Sequence, residues 1–527
     1  MALNISDASL DWALLNAENY GDTDIFPNVF EFIAIRHDWD AVKATIRNTD
    51  ILAWTIRASR TSFAPKHQYG FRLSTQLDPF DFLVFTALVH EIGAQLEARR
   101  IPTNEGNVHS YRFKPGADGR MFDEEFSYRS FQQASQDRCN ASQPSHVLIA
   151  DVADFFPRLY LHRVDNALES ALGTGHMHAI ALQKLINHWA GSYSYGLPVG
   201  SAASRLIAEI TISDIDQLLL SEGANYVRYS DDFRVFCSSE AEAYKFLTYL
   251  ARWLFDNHGL TLQQHKTRIV STEVFRQQYL RENENRELDT LSERFHELLT
   301  ELGIDDAYGE IDYDSLDDSH REAVDQLNLE GILEEQIAET EPDLSLVKFA
   351  LRRLRQLKDA DAVPIILDNF SKFVPVVRET IEYLLGLDDI PAADKAKIGS
   401  KLIAICRDPA ATASHLEYAR MYTLMPFGKD PEWNSEKEYI PLFNDAIDDF
   451  SAREILLAMG RSKQDFWFRS KKQSYQQMSP WLRRAFLYGA SCLPADEYKH
   501  WARGIDAQLD DLEKAVVKWA RRFPIGT

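Results

Sequence analysis

Residues 225–236 read NYVRYSDDFRVF, in which two apolar, β-forming runs flank the adjacent acids Asp231 and Asp232. Such runs predict two strands, and the tight connection between them predicts a hairpin whose tip carries both carboxylates. The hairpin would aim two negative charges at one point. Because aspartate favours turns on its own account, an ordinary turn is the alternative interpretation of these two residues.

A third acid follows another apolar run, HVLIADVADFF, at residues 146–156. Asp151 comes directly after a stretch that predicts a buried strand. An ionised carboxylate in that position needs a cation or a partner to offset its desolvation. Two divalent metal ions held by three carboxylates are what phosphoryl transfer to a 3′-hydroxyl requires. The pattern therefore indicates a metal site built from Asp151 and the two hairpin acids.

Two further motifs contain residues that suit a nucleotide or a phosphate. Residues 195–204, YGLPVGSAAS, precede an apolar helix, and Gly196 and Gly200 allow the backbone to approach a ligand. Residues 258–267, HGLTLQQHKT, place Lys266 after a short strand, from which it can reach a phosphate or protonate pyrophosphate. A solvated surface lysine is the alternative interpretation of Lys266, and a glycine-rich turn alone is weak evidence.

In their order along the chain, the four motifs resemble the palm motifs of reverse transcriptases. Asp151 and Phe156 match the first motif, GLPVG (196–200) the second, YSDD (229–232) the third and Lys266 the fourth. The resemblance implies an α+β fold with a right-hand polymerase palm and fingers of reverse-transcriptase type. It also implies that the chain is a nucleotidyltransferase.

Segments upstream of the palm motifs are similar to the fingers of that family, which contact the incoming triphosphate through basic residues. The similar segments are Pro65-Lys66, Gly70-Phe71-Arg72 and Tyr111-Arg112. The resemblance therefore covers about residues 62–270, roughly half of the chain. Carried over position by position, it implies a set of nucleotide-binding residues: Lys66, Arg72, Asp154, Phe155, Phe156, Pro198 and Gly200.

The same resemblance assigns roles in catalysis. The implied metal ligands are Asp151, Asp231, Asp232 and the backbone carbonyl of Val152. These groups would bind two Mg²⁺ ions, for which Mn²⁺ can substitute. Lys266 would be the general acid. Phe156 would clash with a ribose 2′-hydroxyl and so select deoxynucleoside triphosphates as substrates.

The sequence also departs from the family pattern. Val199 stands where the retroviral type carries a glutamine near the nucleotide sugar, and no clear Leu-Gly primer-grip motif follows Lys266. An acidic segment stands where a basic thumb would grip a duplex. These departures argue against processive copying of long templates.

Length and charge bound the remaining organisation. At 527 residues the chain is too long for one core, and the 45% of hydrophobic and 26% of charged residues are ordinary for folded domains. The net charge of -23 is unusual for a nucleic-acid enzyme. Residues 281–345 contain roughly 22 acidic and 4 basic residues, so the rest of the chain is close to neutral. This segment predicts a solvated spacer, with repulsion of stray nucleic acid as an alternative role.

After about Leu344 strand patterns nearly vanish, and pairs of short amphipathic helices recur at a period of roughly 40 residues. The recurrence predicts an all-α, HEAT-like helical-repeat domain, and an irregular helical domain is the alternative. The predicted organisation has four parts: a helical N-terminal lead-in (1–48), reverse-transcriptase-like fingers and palm (49–285), an acidic linker (286–343) and the α-helical domain (344–527).

A palm of this type fused to a helical-repeat domain resembles the abortive-infection polymerases, a bacterial antiviral branch of the family. That resemblance implies DNA synthesis without a template, primed by a hydroxyl of the protein, within a homo-oligomer. Single-stranded DNA attached covalently to the protein would be the product. Tyr20, in the run NAENYGDTDIFP, is the candidate priming residue, and a structural or capping tyrosine is the alternative.

Other functions remain open on the sequence alone. The first is a templated, retron-type RNA-directed DNA polymerase. A second is an inactive palm that serves as a scaffold, with the helical repeat as a binding module, and a third is a phosphate-binding regulator. The chain shows neither an apolar run of membrane-spanning length nor paired cysteines with zinc spacing, so we expect a cytoplasmic protein without a membrane partner.

Overall fold

The computed structural model describes residues 2–21, 25–280, 291, 294–295, 318–433 and 439–526. The chain divides into two compact units, of which the first comprises Met1–Thr61 and Leu73–Glu284. The second unit comprises Ser62–Arg72 and Asn285–Thr527.

Among the described residues, the strands are β1 (Arg60–His67), β2 (Gly70–Gln76), β3 (His146–Asp151), β4 (Asn225–Tyr229), β5 (Asp232–Cys237) and β6 (Arg268–Ser271). The α-helices of the first unit are α1 (Asp7–Asn19), α2 (Phe30–His37), α3 (Trp39–Asn48), α4 (Pro79–Glu97), α5 (Tyr128–Ser142), α6 (Phe155–Arg158), α7 (Leu161–Leu172), α8 (Met177–Ala190), α9 (Ala202–Thr211), α10 (Ser213–Ser221), α11 (Glu240–Trp253) and α12 (Thr272–Phe275). Short π-helical turns follow α11 and α12 at Leu254–His258 and Arg276–Leu280.

A four-stranded antiparallel sheet with the order β4-β5-β3-β6 forms the centre of the first unit. Strands β4 and β5 are the two arms of the predicted hairpin, which the structure confirms. In the register of the central pair, Asp151 at the end of β3 lies opposite Asp232 at the start of β5. Two strands distant in sequence therefore bring their acids to the same end of the sheet.

Apolar side chains that are buried on both faces of the central strands hold this register. Val147 and Ile149 of β3 and Phe236 of β5 belong to one apolar cluster, which Phe131 of α5 covers. Burial of each such side chain contributes about 1.5–3 kcal/mol. A slip of one residue would turn these side chains to the other face and would separate the two acids, so the core itself enforces their pairing.

Two helices cover the sheet and hold its edges. Helix α5 packs against β4 and β5, and helix α11 packs against β3 and β5. Each begins at a serine N-cap whose hydroxyl accepts a hydrogen bond from a backbone N–H of the first turn, Ser127 for α5 and Ser239 for α11. The caps set where each helix starts relative to the strands.

The second unit is helical wherever the structure describes residues 318–433 and 439–526. Its α-helices are α13 (Asp318–Asp325), α14 (Leu329–Ala338), α15 (Leu344–Leu357), α16 (Val363–Asp368), α17 (Phe370–Phe373), α18 (Val377–Leu385), α19 (Ala392–Arg407), α20 (Glu417–Lys429), α21 (Tyr439–Asn444), α22 (Asp449–Arg461), α23 (Asp465–Lys471), α24 (Pro480–Gly489), α25 (Ala495–Ile505) and α26 (Asp511–Arg522). The predicted all-α C-terminal region is therefore confirmed.

Six of these helices form a row in which each packs on the next: α15, α18, α20, α22, α24 and α26. The arrangement is the kind that a helical repeat produces, although the HEAT-like assignment stays a prediction. Much of the predicted acidic linker, 286–343, lies outside the described residues. From Asp318 onward it is helical, as α13 and α14.

In the described ranges, no helix is both long and apolar enough to cross a membrane.

Candidate active site

Backbone hydrogen bonds join the three predicted acids at one end of the sheet. Asp151 pairs with Asp232 across the two central strands. Beyond the end of β3, the Val152 N–H donates to the Asp231 carbonyl oxygen at 3.0 Å. Because directly opposed residues of an antiparallel pair hold their Cβ atoms about 5 Å apart, the carboxylates of Asp151 and Asp232 are neighbours.

The loop that carries Lys266 is attached to the same strand end. The Gln263 N–H donates to the Asp151 carbonyl oxygen at 2.7 Å. The Gln263 carbonyl in turn accepts from the N–H groups of Lys266 (3.1 Å) and Thr267 (2.9 Å), which closes a tight turn. From this turn the Lys266 ammonium reaches the Asp151 carboxylate, with Nζ 2.9 Å from Oδ2. The fourth motif thus meets the first.

The charges of the site are unbalanced. Burial raises the pKa of Asp232 to about 6, with the guanidinium of Arg234 opposing the rise and the carboxylates of Asp151 and Asp231 adding to it. Burial lowers the pKa of Lys266, but its hydrogen bond to Asp151 and the surrounding carboxylates outweigh that effect and raise it. Three acids with one ammonium at their centre leave an excess of negative charge that a further cation would stabilise.

The donor chemistry of these residues suits a hard divalent cation. Carboxylate and carbonyl oxygens are the ligands that Mg²⁺ prefers, and Asp151, Val152, Asp231 and Asp232 offer only oxygen. In the part of the chain that the structure describes, no three His, Cys, Asp or Glu side chains are already gathered closely enough to hold an ion. The residues therefore fit the metal in their chemistry and charge, and in the structure the Lys266 ammonium is bonded to the Asp151 carboxylate.

The turn between β4 and β5 has an unusual backbone. Ser230 adopts a left-handed conformation with φ 53°, which a side chain other than glycine adopts at some cost. Arg228, which is fully buried, donates from Nη1 to the Ser230 carbonyl oxygen at 2.9 Å. The guanidinium thereby fixes the peptide that precedes Asp231.

A buried ion network holds Arg228 in place. Its Nε and Nη2 donate to both oxygens of Asp216, at 2.9 and 2.6 Å, and Nη2 also lies 3.0 Å from Glu209 Oε2. Glu209 accepts from Arg100 Nη2 at 2.6 Å and from the Ser110 hydroxyl at 2.6 Å. Burial lowers the pKa of Arg228, but the two carboxylates outweigh it and raise the pKa well above its ordinary value.

This network was not predicted from the sequence. The visible signal is a charged residue, Arg228, within a strand that otherwise reads as buried, since a buried charge requires a partner. Its partners on α9 and α10 are separated from it by 19 and 12 positions, and Arg100 lies further away still. Nothing in the spacing of these residues predicts that they meet.

The residues that follow Asp151 form a sharp bend and one helical turn. Asp154 is exposed, with φ 47°, and lies at the N-cap of α6. Phe155 is buried, and Phe156 is half-buried with its ring centroid 5.1 Å from that of Phe155. Of these three predicted nucleotide-binding residues, only Asp154 and Phe156 therefore have side chains that are accessible to a ligand.

The glycine-rich motif lies directly against Phe156. The Leu197 N–H donates to the Phe156 carbonyl oxygen at 3.0 Å. Gly196 has φ 105°, and a Cβ there would lie 3.3 Å from the Pro157 carbonyl oxygen, so a side chain would be strained and crowded. Pro198 and Gly200 are buried in this loop. The second motif is thus held beside the first by backbone contacts.

The predicted fingers residues are placed differently. Strands β1 and β2 form a separate two-stranded sheet. Lys66 and Arg72 are exposed on these strands, and both residues belong to the second unit. Arg112 is buried, and its Nη1 donates to Glu97 Oε1 at 2.9 Å. Arg112 therefore serves the packing of the first unit, whereas the roles of Lys66 and Arg72 stay predictions.

Tyr20 lies at the C-cap of α1, and its hydroxyl donates a hydrogen bond to the Asp118 carboxylate. That bond is the main cause of the raised pKa of Tyr20. The residue is 38% exposed. Its phenol thus has a partner outside the Asp151 site, which is the capping role that the sequence left as the alternative, and its priming role stays a prediction.

Comparisons with known proteins agree with the palm geometry. Residues 85–317 match the family described as reverse transcriptase (RNA-dependent DNA polymerase). The match confirms the predicted reverse-transcriptase palm and fingers. No curated protein matches the chain.

Several solved structures are similar to parts of the chain. A partial Cas6-RT-Cas1–Cas2 complex shares 20% identity over 48% of this chain and 42% of its own, with a TM-score of 0.27. Apo telomerase from Candida tropicalis shares 13% identity over 69% of each chain, with a TM-score of 0.31. Telomerase from Candida albicans with a fragment of telomeric RNA shares 12% identity over 73% of this chain and 70% of its own, with a TM-score of 0.30. The chain thus spans less than half the length of the first of these.

Proposed function

We propose that this chain, which carries a reverse transcriptase domain, is a DNA polymerase that joins deoxynucleotides by two-metal nucleotidyl transfer. The observation that supports the proposal most directly is the meeting of Asp151, Asp231 and Asp232 at one end of the sheet, with Lys266 bonded to Asp151. Structural needs alone do not explain three acids at one strand end, since their mutual repulsion is costly.

Each residue then has a chemical task. Asp151, Asp231 and Asp232, with the Val152 carbonyl, would hold two Mg²⁺ ions or their Mn²⁺ substitutes. When bound, the ions supply activation of the attacking 3′-hydroxyl and neutralisation of the triphosphate charge. Lys266 carries a proton on a partly exposed ammonium and can give it to the pyrophosphate that leaves. The lysine also balances the carboxylates between turnovers.

The finer proposal concerns the branch of the family. We infer template-independent synthesis primed by the protein, in the manner of the abortive-infection polymerases of antiviral defence, by a cytoplasmic homo-oligomer. The resemblance of the motifs and the all-helical C-terminal region support this proposal. The row of helices from α15 to α26 would be the HEAT-like repeat, and it would take over the function of a thumb. Single-stranded DNA attached to the protein would be the product.

Product sequences test the proposal. Purified full-length protein would be incubated with Mg²⁺ and the four deoxynucleoside triphosphates in three arms: no added nucleic acid, a primed RNA template and a primed DNA template. We expect product in the first arm, and product unrelated to the template sequence in the other two. Product that forms only with a template and is complementary to it would contradict template independence.

A second candidate function is templated, RNA-directed DNA synthesis. The description of the matching family as RNA-dependent favours it. In the same experiment, this function predicts complementary product from the RNA arm alone. An inactive scaffold predicts no incorporation in any arm, so the three arms separate all of these functions.

Phe156 is expected to select the sugar of the incoming nucleotide. Its ring is half-buried beside the glycine-rich motif, where a smaller side chain would leave space for a 2′-hydroxyl. We expect Phe156→Val to raise ribonucleotide incorporation relative to deoxynucleotide by about tenfold or more, since a lost steric clash is worth roughly 1–3 kcal/mol. A competition assay with both nucleotide types measures the ratio.

The exposed phenylalanine at position 255 offers a control, because Phe255→Val removes an equal volume from the surface. Its ratio should equal that of the wild type. An unchanged ratio in Phe156→Val would show that Phe156 is a packing residue only.

Tyr20 can be tested as the primer with a matched pair of variants. If its hydroxyl starts the DNA strand, Tyr20→Phe should abolish the covalent protein–DNA product, because no nucleophile remains. Asp118→Ala breaks the same hydrogen bond and keeps the hydroxyl, so it should still give the product. Denaturing gel electrophoresis with labelled nucleotides measures both. Full product from Tyr20→Phe would assign the priming role to another residue.

A further inference from the structure

Three exposed tyrosine rings and one arginine lie close together beside the glycine-rich motif. We call Arg158, Tyr160, Tyr193 and Tyr195 the aromatic platform. Tyr160, Tyr193 and Tyr195 are 44%, 63% and 36% exposed. The rings of Tyr193 and Tyr195 lie 5.5 Å apart at an interplanar angle of 34°, and the Arg158 guanidinium lies 5.3 Å from the centre of the Tyr195 ring.

Backbone hydrogen bonds join the two chain segments that carry the platform. Tyr160 and Tyr195 form an antiparallel bridge, and the Leu161 N–H donates to the Ser194 carbonyl oxygen at 2.9 Å. The Gly196 N–H donates to the Leu159 carbonyl oxygen at 2.9 Å. These contacts place the segment of Arg158 and Tyr160 beside the segment of Tyr193 and Tyr195.

The platform is continuous with the candidate active site. Arg158 ends the helical turn that begins at Phe155, and Tyr195 precedes Gly196 directly. The Leu197 N–H bonds the Phe156 carbonyl oxygen at 3.0 Å, so the two chain segments that carry the platform also carry the candidate sugar-selecting residue. A polymer that leaves or enters the Asp151 site past Phe156 would meet these rings.

The chemistry of the platform matches a nucleic-acid strand. A contiguous group of exposed aromatic side chains marks an interaction site, because scattered rather than clustered exposure is the rule on soluble surfaces. Aromatic faces stack bases regardless of sequence, and an arginine beside them pairs with phosphate and stacks as well. A single strand offers both bases and phosphates, and the platform offers rings for the bases and a guanidinium for a phosphate.

We propose that the aromatic platform binds a segment of single-stranded DNA by stacking its bases on Tyr193 and Tyr195, with Arg158 at a phosphate. The proposal deepens the proposed function and rests on it for the identity of the strand, which is the DNA being made. It gives the domain a non-sequence-specific hold on its product, which suits a chain without a recognisable primer-grip motif.

Equilibrium binding tests the platform without requiring synthesis. A short oligodeoxythymidylate with one internal 2-aminopurine would be titrated with full-length protein in the absence of nucleotides. Stacking quenches 2-aminopurine, so we expect quenching with the wild type. The variant Tyr193→Ala/Tyr195→Ala should bind about thirtyfold or more weakly, the lower range for two lost stacking contacts, and should lose the quenching.

Two control variants separate stacking from damage to the fold. Tyr193→Phe/Tyr195→Phe keeps both faces and should bind within about twofold of the wild type. Tyr244→Ala removes a ring that is 64% exposed on α11, near the Lys245 and Tyr249 pair, and should not change binding. If the alanine variant fails to fold, photocrosslinking of wild-type protein to a 5-iododeoxyuridine strand decides instead. Crosslinks at Tyr193 or Tyr195 support the platform, and crosslinks confined to other residues overturn it.

The contribution of Arg158 has its own signature. Arg158→Gln should weaken binding and reduce the slope of log affinity against log salt by about 0.7, as expected for one lost phosphate contact to a single strand. An unchanged slope would remove Arg158 from the site. The assignment to DNA would be overturned if an RNA strand of the same sequence bound about tenfold more tightly, with its affinity lowered by the same variants of Tyr193, Tyr195 and Arg158. Binding that behaves as described in a protein that incorporates no nucleotide would uphold the platform while the proposed polymerase activity fails.

Discussion

Replacing Asp231 or Asp232 by asparagine is expected to reduce deoxynucleotide incorporation by more than about a hundredfold. Asparagine keeps the shape of the side chain and loses the charge that a divalent cation needs. The fold should persist, because neither residue belongs to the apolar core of the sheet. Incorporation of labelled nucleotide by purified variants, each checked by circular dichroism, measures the effect.

We also expect Asp232→Asn to affect the free energy of unfolding. The charge of Asp232 is desolvated and repelled by its neighbours, as its pKa of about 6 shows. Asp232→Asn should therefore be at least as stable as the wild type at pH 7.5, where the wild-type residue is ionised at that cost. Asp256→Asn, which changes an exposed acid in a loose ion pair on the same unit, serves as the control for both readouts. Near-normal incorporation by both active-site variants would refute the metal-site assignment.

Replacing Arg228 by methionine should be the most destabilising change in the first unit. The substitution leaves Asp216 without its main cation and removes one of two from Glu209, in a fully buried network. Breaking a buried pair on one side costs about 3–5 kcal/mol. For a unit of this size, that corresponds to a melting temperature lower by roughly 10 °C. Thermal and denaturant unfolding of the full-length protein measure the loss.

The same residue is expected to position the catalytic turn. Arg228 Nη1 holds the Ser230 carbonyl oxygen, so its loss frees the left-handed turn that carries Asp231. Incorporation per folded molecule should fall about ten- to a hundredfold, since small displacements of reacting groups are that costly. The double variant Arg228→Met/Asp216→Asn removes the unpaired charge and should recover part of the stability, but not the activity.

Arg252→Met provides the matched control, because Arg252 is a largely exposed arginine of α11 in a loose pair with Asp256. Its unfolding free energy should change by less than about 0.5 kcal/mol. An Arg228→Met protein of wild-type stability would contradict the energetic role of the network. A destabilised variant with normal activity per folded molecule would contradict the positioning role.

The local parts of the fold could be predicted from the sequence because their causes are local. The runs around YSDD form the strands β4 and β5, and the apolar run before Asp151 forms β3. Strand propensity and continuous apolar runs act over a few residues and can be read directly from the sequence. The order of four family motifs pointed to Asp151 and Lys266 as site residues, but did not predict that their side chains bond each other.

Features that depend on distant residues could not be predicted. Arg228 joins acids from two helices, α9 and α10, and nothing in its own strand specifies which acids will neutralise it. The hydroxyl of Tyr20 bonds Asp118, which lies 98 positions away. The aromatic platform likewise arises from two segments that backbone pairing brings together, and neither segment alone shows that its aromatic rings will be neighbours of the other's.

The most direct test of the account is synthesis by the purified protein alone. Wild-type protein would be incubated with Mg²⁺ and labelled deoxynucleoside triphosphates, without primer or template, and then run on a denaturing gel. We predict a labelled band that migrates more slowly than the protein, collapses on treatment with DNase, and is lost both with EDTA and in Asp231→Asn. A wild-type protein that incorporates no label under these conditions or with added primed templates, or a band that persists in Asp231→Asn, would contradict the assignment of Asp151, Asp231 and Asp232 as the polymerase site.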